Sequence, residues 1–188
     1  MNKTLYFLIS IFVLIFVSYS FAIQKTPAEG EQFPDISIKP PENKDDIDYL
    51  GIKEKKSFKL GQIKADIVIV EIFSMYCPYC QKEAPAVNEL FNKIQEINNY
   101  KNHIKILGIG AGNTQFEVNL FKSQYDIKFP LVIDDDFKIH KAIGEVRTPY
   151  FFVVKINSDG STKILYSKVG SIQEPSDFLN MIVNKAGL

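Results

Sequence analysis

The sequence predicts an α/β protein: a central sheet covered by helices on both faces, three layers in all. Three observations lead there. The runs IVIVEIF (67–73), IKILGI (104–109) and YFFVVKI (150–156) are continuously apolar and rich in β-branched residues, as strands buried on both faces are. Between them lie segments whose apolar residues recur three and four apart, the helical period. The chain has 188 residues, 46% of them hydrophobic, enough for one domain with a real core.

The elements follow in order. MNKTLYFLISIFVLIFVSYSFA carries one lysine, then an apolar run from Leu5 to Val17, then the small-x-small pattern Ser20-Phe21-Ala22. Residues 1–22 therefore read as a secretory signal cleaved after Ala22, or as an uncleaved anchor, since Leu5 to Ile23 is roughly long enough to span a bilayer. No cysteine directly follows the run, which excludes a lipidated one there. Both readings place residues 23–188 outside the cytoplasm, where thiols tend to be oxidised. Residues 23–32 read as a flexible lead-in to a domain at 33–188.

Phe33 to Ile38 is a short strand ended by Pro40-Pro41, Glu42 to Asp48 a polar loop, and Tyr49 to Leu60 a small hairpin. After the strand 67–73, Ala84, Val87, Leu90, Phe91, Ile94 and Ile97 predict a helix from Cys77 to about Asn98-Asn99, kinked at Pro85. Strand 104–109 comes next. Then follows a helix over Thr114 to Gln124, capped by Thr114, with Phe116, Leu120 and Phe121 on one face. Pro130 opens the strand LVI. Asp134-Asp135-Asp136 caps a short helix through Ile143, a use of acids that the helix dipole favours over metal binding. After strand 150–156, Asn157-Ser158-Asp159-Gly160 is a hairpin turn leading to a strand at Ile164 to Val169. Pro175 opens a last helix with Phe178, Ile182 and Val183 facing inward.

Composition excludes some functions. Twenty-two basic residues balance 22 acidic ones, so there is no electrostatic footprint for nucleic acid. Gly108-x-Gly110-x-Gly112 lacks a third glycine in register for a dinucleotide turn and reads as a loop after a strand. His103 and His140 have no ligand spacing to the cysteines, so no metal site is expected.

The chemistry concentrates in SMYCPYCQKEAP at 74–85, which holds Cys77 and Cys80, the only two cysteines. Cys77 follows a buried strand and opens a helix. Free N–H groups and the helix dipole there stabilise a thiolate. Cys80 lies one turn in, within disulfide reach. Pro78 removes a donor that the first turn does not need. A structural disulfide closing so short a loop adds little stability, so the pair reads as a thiol-exchange centre: Cys77 attacks and Cys80 resolves. Glu71 is a carboxylate inside the most apolar strand. If buried, its pKa rises and it can move a proton to or from Cys80; otherwise it faces solvent or pairs with a lysine. Glu83, three residues after Cys80, shares its helix face and either tunes Cys80 or is a solvated surface acid. Tyr76 and Tyr79 form an aromatic rim. Arg147, the sole arginine, reads as a surface residue, with recognition of a substrate carboxylate as the alternative.

The chain resembles the extracytoplasmic thioredoxin-fold proteins of the TlpA/ResA group, within the redoxin (AhpC/TSA-related) superfamily. Phe33-Pro34-Asp35, the strand 67–73 with CPYCQKEAP, FPLVIDDD, and VRTPYFFV followed by NSDG carry the resemblance. It implies a thioredoxin-like three-layer fold, a central mixed sheet flanked by helices, with an N-terminal β-hairpin and an inserted β-α element. It implies a cis peptide between Thr148 and Pro149, with Pro149 facing the two sulfurs and accepting an extended substrate segment beside the backbone of Thr148; Tyr76, Pro78 and Tyr79 are expected to contact that substrate too. Glu71 matches the buried acid of thioredoxin, and Glu83 the acid given a redox role in ResA-like proteins. The implied activity is reduction of disulfides in exported proteins, apocytochrome c being the substrate class suggested. Electrons would come from a membrane donor of the CcdA/DsbD kind. A monomer is expected, with no organic cofactor beyond the redox-active Cys77–Cys80 pair.

Two departures leave alternatives. Tyr76 stands where the group usually has tryptophan, and Pro-Tyr between the cysteines is the glutaredoxin type. A DsbA-type oxidase is the first rival, though threonine precedes Pro149 and the stretch from Cys80 to Pro149 has no room for that family's helical insertion. A thiol peroxidase is the second, but Val70 stands where its motif has proline.

Overall fold

Strand β1 (Ile67–Phe73) is the axis of the molecule, and all seven of its residues are buried. The computed structural model describes residues 25–53 and 56–188; the segment 1–22, expected as signal or anchor, lies outside them. β1 is flanked by β2 (Ile104–Ala111) in parallel and by β4 (Tyr150–Ile156) in antiparallel. β3 (Leu131–Asp134) and β5 (Thr162–Val169) complete a five-stranded mixed sheet of order β3-β2-β1-β4-β5. The two parallel pairs need crossover helices, and the sequence supplies them in α2 (Pro78–Glu96) and α4 (Gln115–Gln124).

Because side chains alternate along a strand, β1 feeds two cores. Ile67, Ile69 and Phe73 pack with Val87, Leu90 and Ile94 of α2, Val118 and Phe121 of α4, and Phe178 and Ile182 of α6 (Pro175–Ala186). Val68, Val70 and Ile72 pack on the other face with Phe33, Ile38, Leu50, Phe58 and Leu60, and with Ile139 of α5 (Lys138–Ala142). Each such fully buried side chain contributes about 1.5–3 kcal/mol. Glu71 occupies the row of Ile67, Ile69 and Phe73, so it points towards α2 from within this apolar layer.

The register brings the functional segments together. Phe73 lies opposite Gly110, and Ile72 opposite Tyr150. The chain leaving β1 therefore meets both the exit of β2 and the entry of β4. Cys77 follows the first, Asn113 the second, and Pro149 precedes the third.

Several expectations need correction. Glu42 to Asp48 is not a loop: α1 (Lys44–Leu50) begins there, with the Asn43 carboxamide accepting from Asp45 N–H at 2.9 Å. Gly51, expected in a hairpin turn, is the left-handed cap that ends α1. The expected N-terminal hairpin at Tyr49 to Leu60 is absent among the described residues. Ile38 pairs instead with Phe58 in a single antiparallel bridge, which is all that remains of the strand expected at Phe33 to Ile38. The long helix ends at Glu96, and α3 (Asn98–His103) fills the stretch before β2. Pro85 lies inside α2. Gly108 and Gly110 lie within β2 and not in a loop. A Cβ on Gly108 would come within 2.4 Å of the Leu131 side chain, so β3 closes on β2 only over bare backbone there.

In α4 the Thr114 cap forms as expected. Its reciprocal bonds with Glu117 set a helical phase that turns Val118 and Phe121 inward and leaves Phe116 75% exposed. Leu120 is likewise outward. Asp134 performs the expected capping: its buried carboxylate accepts from the N–H groups of Ile139 and His140 at 2.9 and 2.8 Å.

Candidate active site

Cys77 is the N-cap of α2, in extended conformation (φ −85°, ψ 113°), with Pro78 in the first turn. Its position is held from three sides. Its own N–H donates to Ser74 O at 3.0 Å. Met75 N–H donates to Asn113 Oδ1 at 2.8 Å, and Gln81 Nε2 to Met75 O at 2.9 Å. The Cys77 thiol donates to the Thr148 carbonyl at 3.3 Å, linking residues far apart in sequence. The Thr148–Pro149 peptide is cis, as expected. Thr148 is half-buried and Pro149 buried.

The two sulfurs differ. Cys77 is partly exposed and Cys80 wholly buried, both as free thiols. Burial alone would raise the Cys77 thiol. Hydrogen bonds from the Thr148 side chain, from Cys80 and from the Tyr79 backbone outweigh it and hold Cys77 below its usual range. Burial pushes the Cys80 thiol well up, against a bond from Ser74, and the nearby Glu71 charge adds to the rise. One turn of helix thus separates a ready nucleophile from a thiol that stays protonated until something removes its proton.

Both acids turn out to be inside. Glu71 is 3% exposed, and burial, then the charges of Glu83 and Cys77, push it up to about 8. It is not solvated, and among the described residues it pairs with no lysine. Glu83 is 6% exposed, so the solvated reading fails for it also. Its Oε1 accepts from Ile172 N–H at 2.8 Å, tying α2 to the loop after β5. Tyr76 and Tyr79 are exposed, as the rim requires, and the Tyr76 hydroxyl is hydrogen-bonded to the Glu117 carboxylate of α4. Pro78 is exposed between them.

Beside the cis peptide runs a groove of about 570 Å3. One wall is the α2 stripe of Tyr79, Lys82 and Ala86, with Glu83; the others are Arg147-Thr148-Pro149 and Val169-Gly170-Ser171. Sequence reasoning placed Arg147 at the surface, and it is exposed, but it stands on this rim. Lys82 and Asn113 were missed. Asn113 is fully buried, and no partner meets its Nδ2 among the described residues. The signal for it was topological. Parallel neighbours end side by side, so a polar residue just beyond β2 abuts the loop just beyond β1.

The family model for AhpC/TSA matches residues 30–164. The chain belongs to the AhpC/TSA family. Similar proteins include the thiol-disulfide oxidoreductase ResA of Bacillus thuringiensis subsp. konkukian, 34% identical over 107 residues, which are 57% of this chain and 58% of that one. The match thus spans little more than half of that relative's length. ResA of Halalkalibacterium halodurans is 25% identical over 133 residues, 71% of this chain and 72% of the relative. Among solved structures, a putative thiol:disulfide interchange protein DsbE from Chlorobium tepidum aligns with TM-score 0.62 and 17% identity, over 85% of this chain and 98% of that one. StoA from Bacillus subtilis aligns with TM-score 0.56 and 17% identity, over 82% and 98%. The likeness establishes the thioredoxin-like fold of this family member.

Proposed function

We propose that the chain is an extracytoplasmic thiol-disulfide oxidoreductase that works as a reductase. The observation that carries the reading is the asymmetry of the pair: an accessible Cys77 with a lowered pKa above a buried Cys80 with a raised one. In the first step the Cys77 thiolate attacks one sulfur of a substrate disulfide. A Cys77–substrate disulfide forms, and the other substrate sulfur leaves as a thiolate and takes a proton from solvent. In the second, Cys80 loses its proton and attacks Cys77 Sγ. The Cys77–Cys80 disulfide forms and the second substrate thiol is released. Two electrons have passed to the substrate, and a partner dithiol must return them.

Glu71 is the base for the second step. The Cys77 charge is one of the influences that hold Glu71 protonated. Once Cys77 is in the mixed disulfide that charge is gone, Glu71 ionises more readily, and its carboxylate receives the Cys80 proton. The resemblance to ResA supports exported proteins as substrates, apocytochrome c among them, and a membrane donor of the CcdA/DsbD kind.

Equilibrating the full chain with glutathione or dithiothreitol couples tests the direction. A potential near that of thioredoxin, about −270 mV, is expected. A value near that of DsbA, about −120 mV, would replace the reductase with an oxidase. Cys80→Ser should hold Cys77 on its substrate as an isolable mixed disulfide.

A further inference from the structure

The groove beside Cys77 carries a charge pattern that the exchange chemistry does not use. Lys82 stands on the α2 wall and Arg147 on the cis-proline wall, both exposed. Neither makes an ion pair among the described residues, a state they share with other surface lysines such as Lys141, Lys163 and Lys168; what sets them apart is their place on the rim of this groove. Apart from the two cations and Glu83 the lining is uncharged: Ala86, Thr148, Pro149, Val169, Gly170 and Ser171, with Tyr79 at its edge. The one acid of the groove, Glu83, is buried and takes up Ile172 N–H, so the rim itself is cationic. Arg147 adjoins Thr148, whose carbonyl lies 3.3 Å from Cys77 Sγ. An extended chain advances about 3.3–3.6 Å per residue, so Arg147 reaches a substrate side chain about one to three residues from the reacting cysteine.

We infer that the groove selects substrate segments carrying a carboxylate, Asp or Glu, within about three residues of the target cysteine, with Lys82 and Arg147 as specificity-determining residues. This rests on the thiol-exchange reading and adds the substrate class to it. A guanidinium recognises a carboxylate through two parallel N–H donors, and an ammonium from the facing wall adds a point charge. The pair acts on encounter and orientation, while the sulfur chemistry stays with Cys77 and Cys80.

The test uses the reduced full chain in single turnover. Its substrates are three peptides, each with one cysteine held as a disulfide to 2-mercaptoethanol and differing only in Asp, Asn or Lys two residues away. Each turnover releases peptide thiol and 2-mercaptoethanol and leaves the Cys77–Cys80 disulfide. The expected order is Asp, Asn, Lys, with about tenfold between the ends at low salt, collapsing as salt screens the charges. Arg147→Ala and Lys82→Ala should each bring the Asp-to-Lys ratio towards one, and Arg147→Lys should keep part of it. Equal rates for the three peptides, or an Arg147→Ala ratio unchanged from wild type, would overturn the charge selection while leaving the exchange reading intact. No turnover of any peptide, the neutral one included, would remove the exchange reading and this inference with it.

Discussion

Glu71 is the residue on which sequence, stability and chemistry meet. It interrupts an apolar strand at a position where Ile or Phe would add to the core, and it lies opposite Phe151 and Gly108, away from solvent. Its pKa is raised from 4.5 to about 8, first by burial. A carboxyl raised on folding binds its proton more tightly in the native state than in the unfolded one. Stability attributable to it is therefore complete below pH 4.5 and is lost as the pH climbs through about 8. Each unit of difference is about 1.4 kcal/mol, so the loss is at most about 4–5 kcal/mol. Glu71→Gln should remove this slope: denaturant unfolding at pH 8.5 would show the variant more stable than wild type, and at pH 4 the two nearly equal. The same variant should slow release of substrate from the mixed disulfide by about 10²-fold or more, leaving the Cys77 attack little changed. A parallel pH slope in both proteins would mean that Glu71 is ionised in the fold, and the proton-transfer role would go with it.

At the scale of elements, what was legible depended on whether a segment declares its own structure. The three buried strands, the start of the long helix behind Cys77 and the Thr114 and Asp134 caps are local in origin, and they lie where the sequence puts them. The placement of Cys77 and Cys80 at the helix start and the cis peptide before Pro149 were legible too, the second only through resemblance. The Tyr49–Leu60 segment was misread because Gly51 ends a short helix as readily as it turns a hairpin. α1 buries only Ile47 and Leu50, too few residues to show a period. Phe116 was misread for a different reason: several aromatics on one short helix do not reveal its phase, which the capping box sets. Asn113 was invisible locally because its job is tertiary. It holds the Met75 N–H, and with it the loop that delivers Cys77 to the end of α2. Asn113→Ala leaves that partly buried donor without its partner, which costs about 1 kcal/mol in unfolding free energy. It should also slow alkylation of Cys77 at pH 7, because the sulfur drifts from the donors that lower its pKa. Unchanged unfolding and unchanged alkylation would show that the loop holds without Asn113.

For the whole molecule, the redox state of the pair and the stability of the fold are one equilibrium seen from two sides. Folding and disulfide formation close a thermodynamic cycle, so whichever state of Cys77–Cys80 the fold favours sets the potential. The structure contains opposing influences. The donors around Cys77 favour its thiolate and hence the reduced protein. The Cys80 thiol, buried and raised further by the Glu71 charge, gains nothing from that, and joining the sulfurs removes the Cys77 charge that acts on buried Glu71. If the second influence dominates, as the reductase reading requires, oxidation should stabilise the fold, and the oxidised full chain should unfold at a higher denaturant concentration than the reduced one. DsbA is the opposite case, its reduced form being the stabilised one. The separation between the thioredoxin and DsbA potentials, about 150 mV, corresponds to about 7 kcal/mol for a two-electron couple, far above the error of an unfolding curve. Paired denaturant titrations at pH 7, one with dithiothreitol and one without, therefore decide the direction independently of any redox buffer. A reduced form more stable than the oxidised one would identify an oxidant and end the reductase reading, whatever precedes Pro149.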